Sequence, residues 1–290
     1  MKLINTLIAM LTAISVGFSA TADVLPPGQT TDASIRRAAK LAELGCDFER
    51  DMIGYAINAD GSSVTVKCAV LGSMSLQRAL LPATVTYEEK SYTVTEIAPE
   101  AFRNLSTLSI VAIPATVTRI GKDAFRGCPL QAVSISDLRA WCAIIFDNYT
   151  ANPASVAGCL MLGDEPLTDL VLPDSITKIN NHAFDGLTSL RNVVFPEGLR
   201  TIGRSAFFGC TGLTELRLPD SIITIDRCAF ERCSGLTSVY IGDNAQFIGF
   251  GAFRDCSDLR SISMPKGIRT IRHDAFDGVK AKTERRKVKK

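Results

Sequence analysis

The sequence is built on a 23-residue repeat. The dipeptide Ala-Phe occurs seven times, and the last four intervals between its phenylalanines are identical. The phenylalanines are Phe102, Phe125, Phe184, Phe207, Phe230, Phe253 and Phe276. Identical consecutive intervals indicate that each repeat is one structural unit stacked on the next. The chain is therefore expected to grow coil by coil into a solenoid rather than to form one or two globular domains.

Each unit contains one short segment that suits a β-strand. Leu216-Arg217-Leu218 alternates apolar, polar and apolar residues before Pro219, which has no backbone N–H to donate. We expect equivalent segments of adjacent coils to pair in parallel, about 4.8 Å apart. The other apolar residues of the unit are too sparse for a continuous helix, so they predict coil sides that each turn a few side chains towards a shared interior.

A position four residues before the phenylalanine favours turn-forming residues. Glycine, asparagine or aspartate occupies it at Gly121, Asn180, Gly203, Asp226 and Gly249. These residue types predict a tight turn with a left-handed backbone. Other residues occur there in the remaining units, so the requirement is loose.

The N terminus resembles an export signal. Lys2 is followed by an apolar run over residues 3–18 and by Ala20-Thr21-Ala22, which predicts cleavage after Ala22 and a signal peptide of residues 1–22. A membrane anchor is the alternative, but the run is short for a span and no basic flank follows it. In the next segment, residues 23–46, residues 34–44 predict a short helix. That helix either caps the first coil or touches the array only loosely.

The formal charge of +2 is unevenly distributed. Residues 280–290 hold seven basic side chains against Glu284, a net charge of +6, which leaves −4 for residues 1–279. We interpret residues 280–290 as a solvated, disordered basic tail, with an acidic surface partner as the alternative. Nucleic acid is not an expected partner, because an exported chain does not routinely meet it.

The nine cysteines are interpreted from their positions in the repeat. Four of them lie three residues after an Ala-Phe phenylalanine, where other units have leucine or valine. They are Cys128, Cys210, Cys233 and Cys256. Exchange with leucine and valine indicates small buried thiols rather than metal ligands. For a disulfide, Cys142 with Cys159 is the better candidate and Cys46 with Cys68 the second. The sequence contains no Cys-x-x-Cys pair, so it does not indicate a zinc site.

No catalytic, cofactor-binding or metal-binding residue is predicted. His182 and His273 each lie just before an Ala-Phe, in different coils, and we expect both to be exposed turn residues. A nucleophile would need one of them nearby as a base. The sequence also lacks a phosphate-binding glycine loop, a Gly-x-Ser-x-Gly elbow and a His-Glu-x-x-His helix.

Binding residues are sought on the outward side of the predicted strands. A solenoid offers an extended sheet face whose residues vary freely, and aromatic residues and arginine are enriched at interface hot spots. We select Trp141, Glu215, Arg217 and Tyr240 as candidate binding residues. A solvated sheet face that binds nothing accounts for the same residues.

The repeat resembles a known family. The unit reads Ile-Gly-x-x-Ala-Phe, then Cys or Leu, then Leu-x-x-Val-x-Ile-Pro, and resembles the BspA-type leucine-rich repeat of bacterial surface proteins. The resemblance spans about residues 47–279. Residues 47–93 resemble the strands that open such arrays, and residues 137–169 resemble a longer variant unit. The fold implied is an α/β repeat solenoid, a right-handed leucine-rich-repeat array with one short parallel strand per 23-residue coil, over residues 94–279.

The resemblance also implies a role, although the family has no fixed set of binding residues. It implies a secreted or cell-surface protein that binds an extracellular protein or glycan in adhesion or host interaction, with no membrane span in the mature chain. The competing interpretation is a structural spacer that displays another element. A secreted enzyme with its site in residues 137–169 is the weaker third interpretation.

Overall fold

The structure, a computed structural model, describes residues 32–70 and 76–286. The predicted signal peptide, residues 1–22, and the last four residues of the predicted basic tail lie outside these ranges. Most of the described chain consists of short parallel strands stacked in two series along one axis. This confirms the predicted solenoid of stacked coils. The prediction of one strand per coil is wrong, because each regular coil contributes one strand to each of the two series.

The described chain opens with a helix and a partly antiparallel sheet. Helix α1 spans Asp32–Glu43. Strands β1, β2 and β3 pair antiparallel in sequence order, β3 then pairs parallel with β6, and β5 pairs antiparallel with β6. The bounds are β1 Phe48–Arg50, β2 Ile53–Ile57, β3 Ser63–Ala69, β4 Arg78–Leu80, β5 Thr84–Tyr87 and β6 Lys90–Ile97.

The first strand series contains the strand equivalent to residues 216–218, which a proline follows in some of the coils. It is divided into three sheets, with the orders β4-β7-β9-β11-β12, β13-β15 and β17-β19-β21-β23, and only the β11–β12 pair is antiparallel. Its further strands are β7 Ile110–Ile113, β9 Ala132–Ile135, β11 Leu160–Leu162, β12 Glu165–Pro166, β13 Asp169–Val171, β15 Asn192–Val194, β17 Glu215–Arg217, β19 Ser238–Tyr240, β21 Ser261–Pro265 and β23 Lys282–Arg286.

The second strand series lies about six residues before each phenylalanine. It is divided into two parts. In the first part β6, β8 and β10 pair in parallel, and in the second part β14, β16, β18, β20 and β22 pair in parallel. The bounds are β8 Arg119–Ile120, β10 Ile145–Phe146, β14 Lys178–Ile179, β16 Thr201–Ile202, β18 Thr224–Ile225, β20 Phe247–Ile248 and β22 Thr270–Ile271.

The repeating phenylalanines stack in the interior. Ring centroids of adjacent coils lie 5.1–5.4 Å apart, and the two runs are Phe102–Phe125 and Phe184 to Phe276. All of these rings are buried except Phe276, which is half-buried at the last coil. Such aromatic pairs contribute about 0.5–1.5 kcal/mol each beyond the area that they bury. The column therefore holds each coil at a fixed distance from the next.

The irregular unit interrupts this column with short helices. α2 spans Leu138–Ala143, a 3-10 helix spans Tyr149–Ala151 and α3 spans Pro153–Ala157. The fully buried Asn152 connects them to the next coil, because its side-chain amide donates to the carbonyls of His182 and Ala183. The described α-helices are confined to this unit and to α1, so the helical part of the predicted α/β class does not recur from coil to coil.

The glycine position was expected to have a left-handed backbone, and this is wrong. The left-handed residues lie two before and two after the phenylalanine, as at Ser205 and Gly209 around Phe207. Gly203 is needed for a different reason: a Cβ there would lie 2.7–2.8 Å from atoms of Ile179 and Asn181 in the preceding coil. Glycine therefore permits close approach of two backbones at this position.

The predicted disorder of the tail is wrong for part of it, although Lys282 to Arg285 are exposed as expected. Residues Lys282–Arg286 form β23, which pairs in parallel with β21. Without β23, the edge of this sheet would present unpaired backbone N–H and C=O groups, and pairing satisfies them. Arg286 adds an ion pair with Asp243, at an Nη2–Oδ1 distance of 2.9 Å.

Helix α1 touches the array loosely, which favours the second of the two alternatives. Its Ala38 and Ala39 are exposed and its Leu41 is only half-buried. Arg37 of this helix forms an ion pair with Glu49 of β1, at an Nη2–Oε1 distance of 2.6 Å. Arg37 is largely exposed, so this pair contributes little to stability.

The column predicts the effect of a core substitution. Phe230→Ala removes a fully buried ring between two stacked neighbours, so the free energy of unfolding should fall by about 3–5 kcal/mol. Denaturant unfolding measures this. Tyr149→Ala, at a ring that is 61% exposed, is the control and should change stability by less than about 0.5 kcal/mol. Equal effects of the two substitutions would contradict the interior column.

Candidate binding surface

Three of the four candidate binding residues lie together on the outward side of the first strand series. In β17 the exposure alternates, with Glu215 and Arg217 outside and Leu216 inside. The parallel register places Glu215 beside Ser238 and Arg217 beside Tyr240. The alternation along each strand and the regular repeat along the chain therefore bring these side chains to one face.

Tyr240 lies between two guanidinium groups. The Cζ of Arg217 is 4.3 Å from the centroid of its ring, and the Cζ of Arg286 is 3.9 Å away. Arg286 is itself held by Asp243, by the hydroxyl of Ser263 at 2.6 Å and by the carbonyl of Ile241 at 2.7 Å. Each cation–π contact contributes about 0.5–1 kcal/mol at an exposed site, so the arrangement fixes the direction of all three side chains.

The same face contains two exposed valines that the choice of candidates left out. Val171 of β13 and Val194 of β15 are paired in register, and their exposed fractions are 62% and 57%. Exposed β-branched residues are common on strands, but two in register form a small apolar patch. β15 and β17 are neighbours in the stack. We call Val171, Val194, Glu215, Arg217, Tyr240 and Arg286 the sheet face.

Arg286 belongs to this face although the sequence indicated a solvated tail. The sequence signal for β23 is weak, since the strand is polar throughout and pairs with β21 at a spacing shorter than the regular repeat. Contacts with Tyr240, Asp243, Ser263 and Ile241 of earlier coils hold Arg286 here, and none of them is evident from the sequence of the strand itself.

Trp141 is not a surface residue. It is 1% exposed on the inner side of α2, with its ring edge-on to Phe146 at 5.2 Å. Its indole N–H donates to the carbonyl of Ala183 at 2.8 Å. The binding prediction for Trp141 is therefore wrong, and the residue connects the irregular unit to the next regular coil.

The four repeat cysteines are buried free thiols, as predicted. Each thiol donates to the carbonyl of the phenylalanine in the preceding coil, over sulfur–oxygen distances of 2.8–3.2 Å. Burial raises the pKa of the Cys256 thiol to about 12 and raises the pKa of Cys210 and Cys233 as well. These thiols therefore stay protonated and poorly nucleophilic at neutral pH.

Neither predicted disulfide is present. Cys142 is buried, Cys159 is half-buried, and both are free thiols. Cys46 and Cys68 have sulfurs 3.7 Å apart, a hydrogen-bonding contact and not a covalent bond. The pKa of Cys46 is raised to about 12, mainly because the thiol is buried and secondly because Cys68 lies beside it.

The two histidines differ in environment. His182 is not exposed as expected: its Nδ1 lies 2.9 Å from the Oδ2 of Asp185, and both side chains are largely buried. Burial raises the pKa of Asp185 above its usual value, and the contact with His182 opposes this rise. His273 is exposed and meets the ring of Phe250 edge-on. Within residues 32–70 and 76–286, no group of His, Cys, Asp or Glu is arranged to hold a metal ion.

Comparison with known sequences identifies the repeat. The BspA type leucine-rich repeat region matches residues 82–151 and 162–282, in six copies and over more than half of the chain. The chain belongs to the BspA-type leucine-rich repeat family. This confirms the resemblance noted in the sequence. No curated protein sequence matches the chain significantly.

Solved structures of leucine-rich repeat proteins are similar to this chain. One is a leucine-rich repeat protein of T. pallidum, with 24% identity and a TM-score of 0.40, covering 74% of this chain and 80% of its own. Another is a leucine-rich cell surface protein of Faecalibacterium prausnitzii, with 17% identity and a TM-score of 0.42. The match covers 82% of the present chain and 94% of that protein. A third is the pneumococcal vaccine antigen PcpA, with 17% identity and a TM-score of 0.37. The match covers 82% of the present chain and 93% of that protein. Among the described helices of the present chain, none has the length and apolarity to cross a membrane.

The buried thiols predict a labelling pattern. In the native protein Cys210, Cys233 and Cys256 should resist an alkylating reagent at neutral pH and react fully in denaturant, as mass spectrometry of digested protein would detect. Raising the pH to about 9 should add little native labelling, because their folded pKa lies above that of an unfolded thiol, about 8.5. Stability should in turn fall as the pH rises above that value, since only the unfolded chain ionises. Rapid native labelling of these three thiols contradicts their burial.

Proposed function

We propose that this BspA-type protein is an exported binding protein that recognises another extracellular protein through its sheet face. The observation that carries the proposal is the patch of Val171 and Val194 beside Arg217 and Tyr240. Protein interfaces combine a desolvated apolar centre with aromatic and arginine anchors, and the sheet face offers both. Because the Arg217 and Tyr240 side chains are already ordered, they lose little entropy on binding.

A protein partner is favoured over a glycan at this face. Sugars stack on an aromatic ring through the ring's flat sides, and those of Tyr240 are approached by Arg217 at 4.3 Å and Arg286 at 3.9 Å. Its hydroxyl lies 3.5 Å from the Oδ1 of Asp220. What remains for a partner is a rigid polar rim around the two valines, which suits a protein surface.

The proposal also includes the export of the chain, its location and the handedness of the array. Residues 1–22 are removed on export, and the mature protein is secreted or held at the cell surface. The array of residues 94–279 follows the opening strands of residues 47–93 and winds right-handed, as parallel strand crossovers do. Family membership supports a role in adhesion or host interaction. A structural spacer is the alternative.

The valines provide the sharpest test. Val171→Ser with Val194→Ser removes the apolar patch at exposed positions, so folding should be preserved while affinity for the partner falls by about tenfold or more. The assay is binding of purified residues 23–290 to immobilised extracellular-matrix proteins and to host cells. Ile145→Ser with Tyr149→Ser is the matched control, because both side chains are exposed and lie in the irregular unit.

The outcomes separate the two functions. Loss of binding in the valine variant alone, with an unchanged thermal melt, supports recognition by the sheet face. Undiminished binding by that variant overturns it. If the unmodified protein binds no matrix or host-cell protein, the spacer is favoured.

A further inference from the structure

A second exposed surface lies where each coil turns towards its phenylalanine. Arg204 and Arg227 occupy the position three residues before Phe207 and Phe230 in adjacent coils, and the backbone N–H of Ser205 donates to the carbonyl of Arg227 at 2.9 Å. The next two coils have Phe250 and His273 at this position, and both are exposed. These four side chains therefore form a column along the stack.

Two arginines of this surface, Arg227 and Arg272, lie against aromatic rings. The Cζ of Arg227 lies 5.3 Å from the ring centroid of Phe250, which is 36% exposed, and His273 meets the same ring edge-on at 5.5 Å. The Cζ of Arg272 lies 6.0 Å from the ring centroid of the half-buried Phe247. We call Arg204, Arg227, Phe247, Phe250, Arg272 and His273 the basic turn face.

The arginines of this face lack acidic partners. In the part of the chain that the structure describes, Arg204, Arg227 and Arg272 form no ion pair, whereas Arg254 pairs with Glu231 at 2.6 Å. The carboxylate of Asp226 is nearby in sequence, but it accepts a hydrogen bond from the backbone N–H of Arg227. Three positive charges are therefore left for a ligand, unlike Arg286 on the sheet face, whose charge is neutralised by Asp243.

We propose that the basic turn face binds a linear anionic polysaccharide. Guanidinium groups bind carboxylate and sulfate groups through paired hydrogen bonds. The Cζ of Arg227 lies 5.3 Å and that of Arg254 lies 5.9 Å from the ring centroid of Phe250, so this ring holds the guanidinium group of Arg227 in position for such a contact. The coils repeat every 5.1–5.4 Å, so a chain with one charge in each of its repeats contacts several coils at once. This binding is independent of the proposed sheet-face function.

An acidic protein fits this face less well than a polysaccharide does. A protein interface has an apolar centre, and Phe250 is the only member of the basic turn face among the large exposed hydrophobic residues of the described chain. The sheet face has such a centre in its two valines. A ladder of charges around one exposed ring is suited to a thin, charged chain.

The test uses heparin as the sulfated polysaccharide and dextran as its uncharged control. Arg204→Ser, Arg227→Ser and Arg272→Ser together should lower the affinity of the full chain for heparin by roughly tenfold or more, and the salt dependence of binding should become shallower. The control replaces Arg103, Arg126 and Arg260 by serine. They are exposed arginines elsewhere on the array, so net charge falls equally. It should change heparin affinity by less than about twofold, and dextran should not bind.

Two results would overturn the proposal. An equal loss of affinity in the control shows attraction by net charge alone. Polyglutamate bound as tightly as heparin, and lost in the same variant, assigns the face to an acidic protein. The Val171→Ser and Val194→Ser variant should bind heparin normally, so failure here is distinguishable from failure of the sheet-face function.

Discussion

The structure depends on the contact that each Ala-Phe dipeptide makes with the next. The backbone N–H of Phe207 donates to the carbonyl of Ala229 at 2.8 Å, and the bond from Phe230 to Ala252 has the same length. The rings stack at 5.2–5.4 Å in the same interval. The alanines are fully buried, so a larger side chain has no space there. Because this contact fixes the register of adjacent coils at one repeat, it also fixes which exposed side chains become neighbours.

This constraint explains which parts of the molecule could be predicted from the sequence. Where coils have equal length, arithmetic on residue numbers gives the columns, as it did for the stacked phenylalanines and the buried Cys210, Cys233 and Cys256. The same arithmetic places Arg217 and Tyr240 at equivalent positions of adjacent coils, and the strand register pairs them. The exchange of cysteine with leucine indicated burial, but only the structure shows that each thiol also donates to a carbonyl.

The arithmetic fails where the coils are unequal or where a contact joins distant parts. Trp141 lies in a unit with no equivalent elsewhere in the chain, so nothing in the pattern showed that it faces inwards. β23 has no apolar alternation, and its position depends on an open sheet edge and on Asp243. Gly203 shows a third limit: the sequence identified a special residue, but close approach and left-handed backbone both favour glycine.

A solenoid of this kind separates the residues that define the fold from those available for binding. Each coil contributes one residue to every exposed column, and substitution there leaves the Ala-Phe contact intact. The two faces show how far such columns diverge on one framework. On the sheet face, Arg286 is neutralised by Asp243 and stacks on Tyr240, so the surface is ordered and locally balanced in charge. On the basic turn face, Arg204 and Arg227 lie in adjacent coils and neither forms an ion pair within the described residues, so the charge accumulates along the stack. Since any partner of either face must contact several coils, equal coil length is as much a condition for binding as for folding.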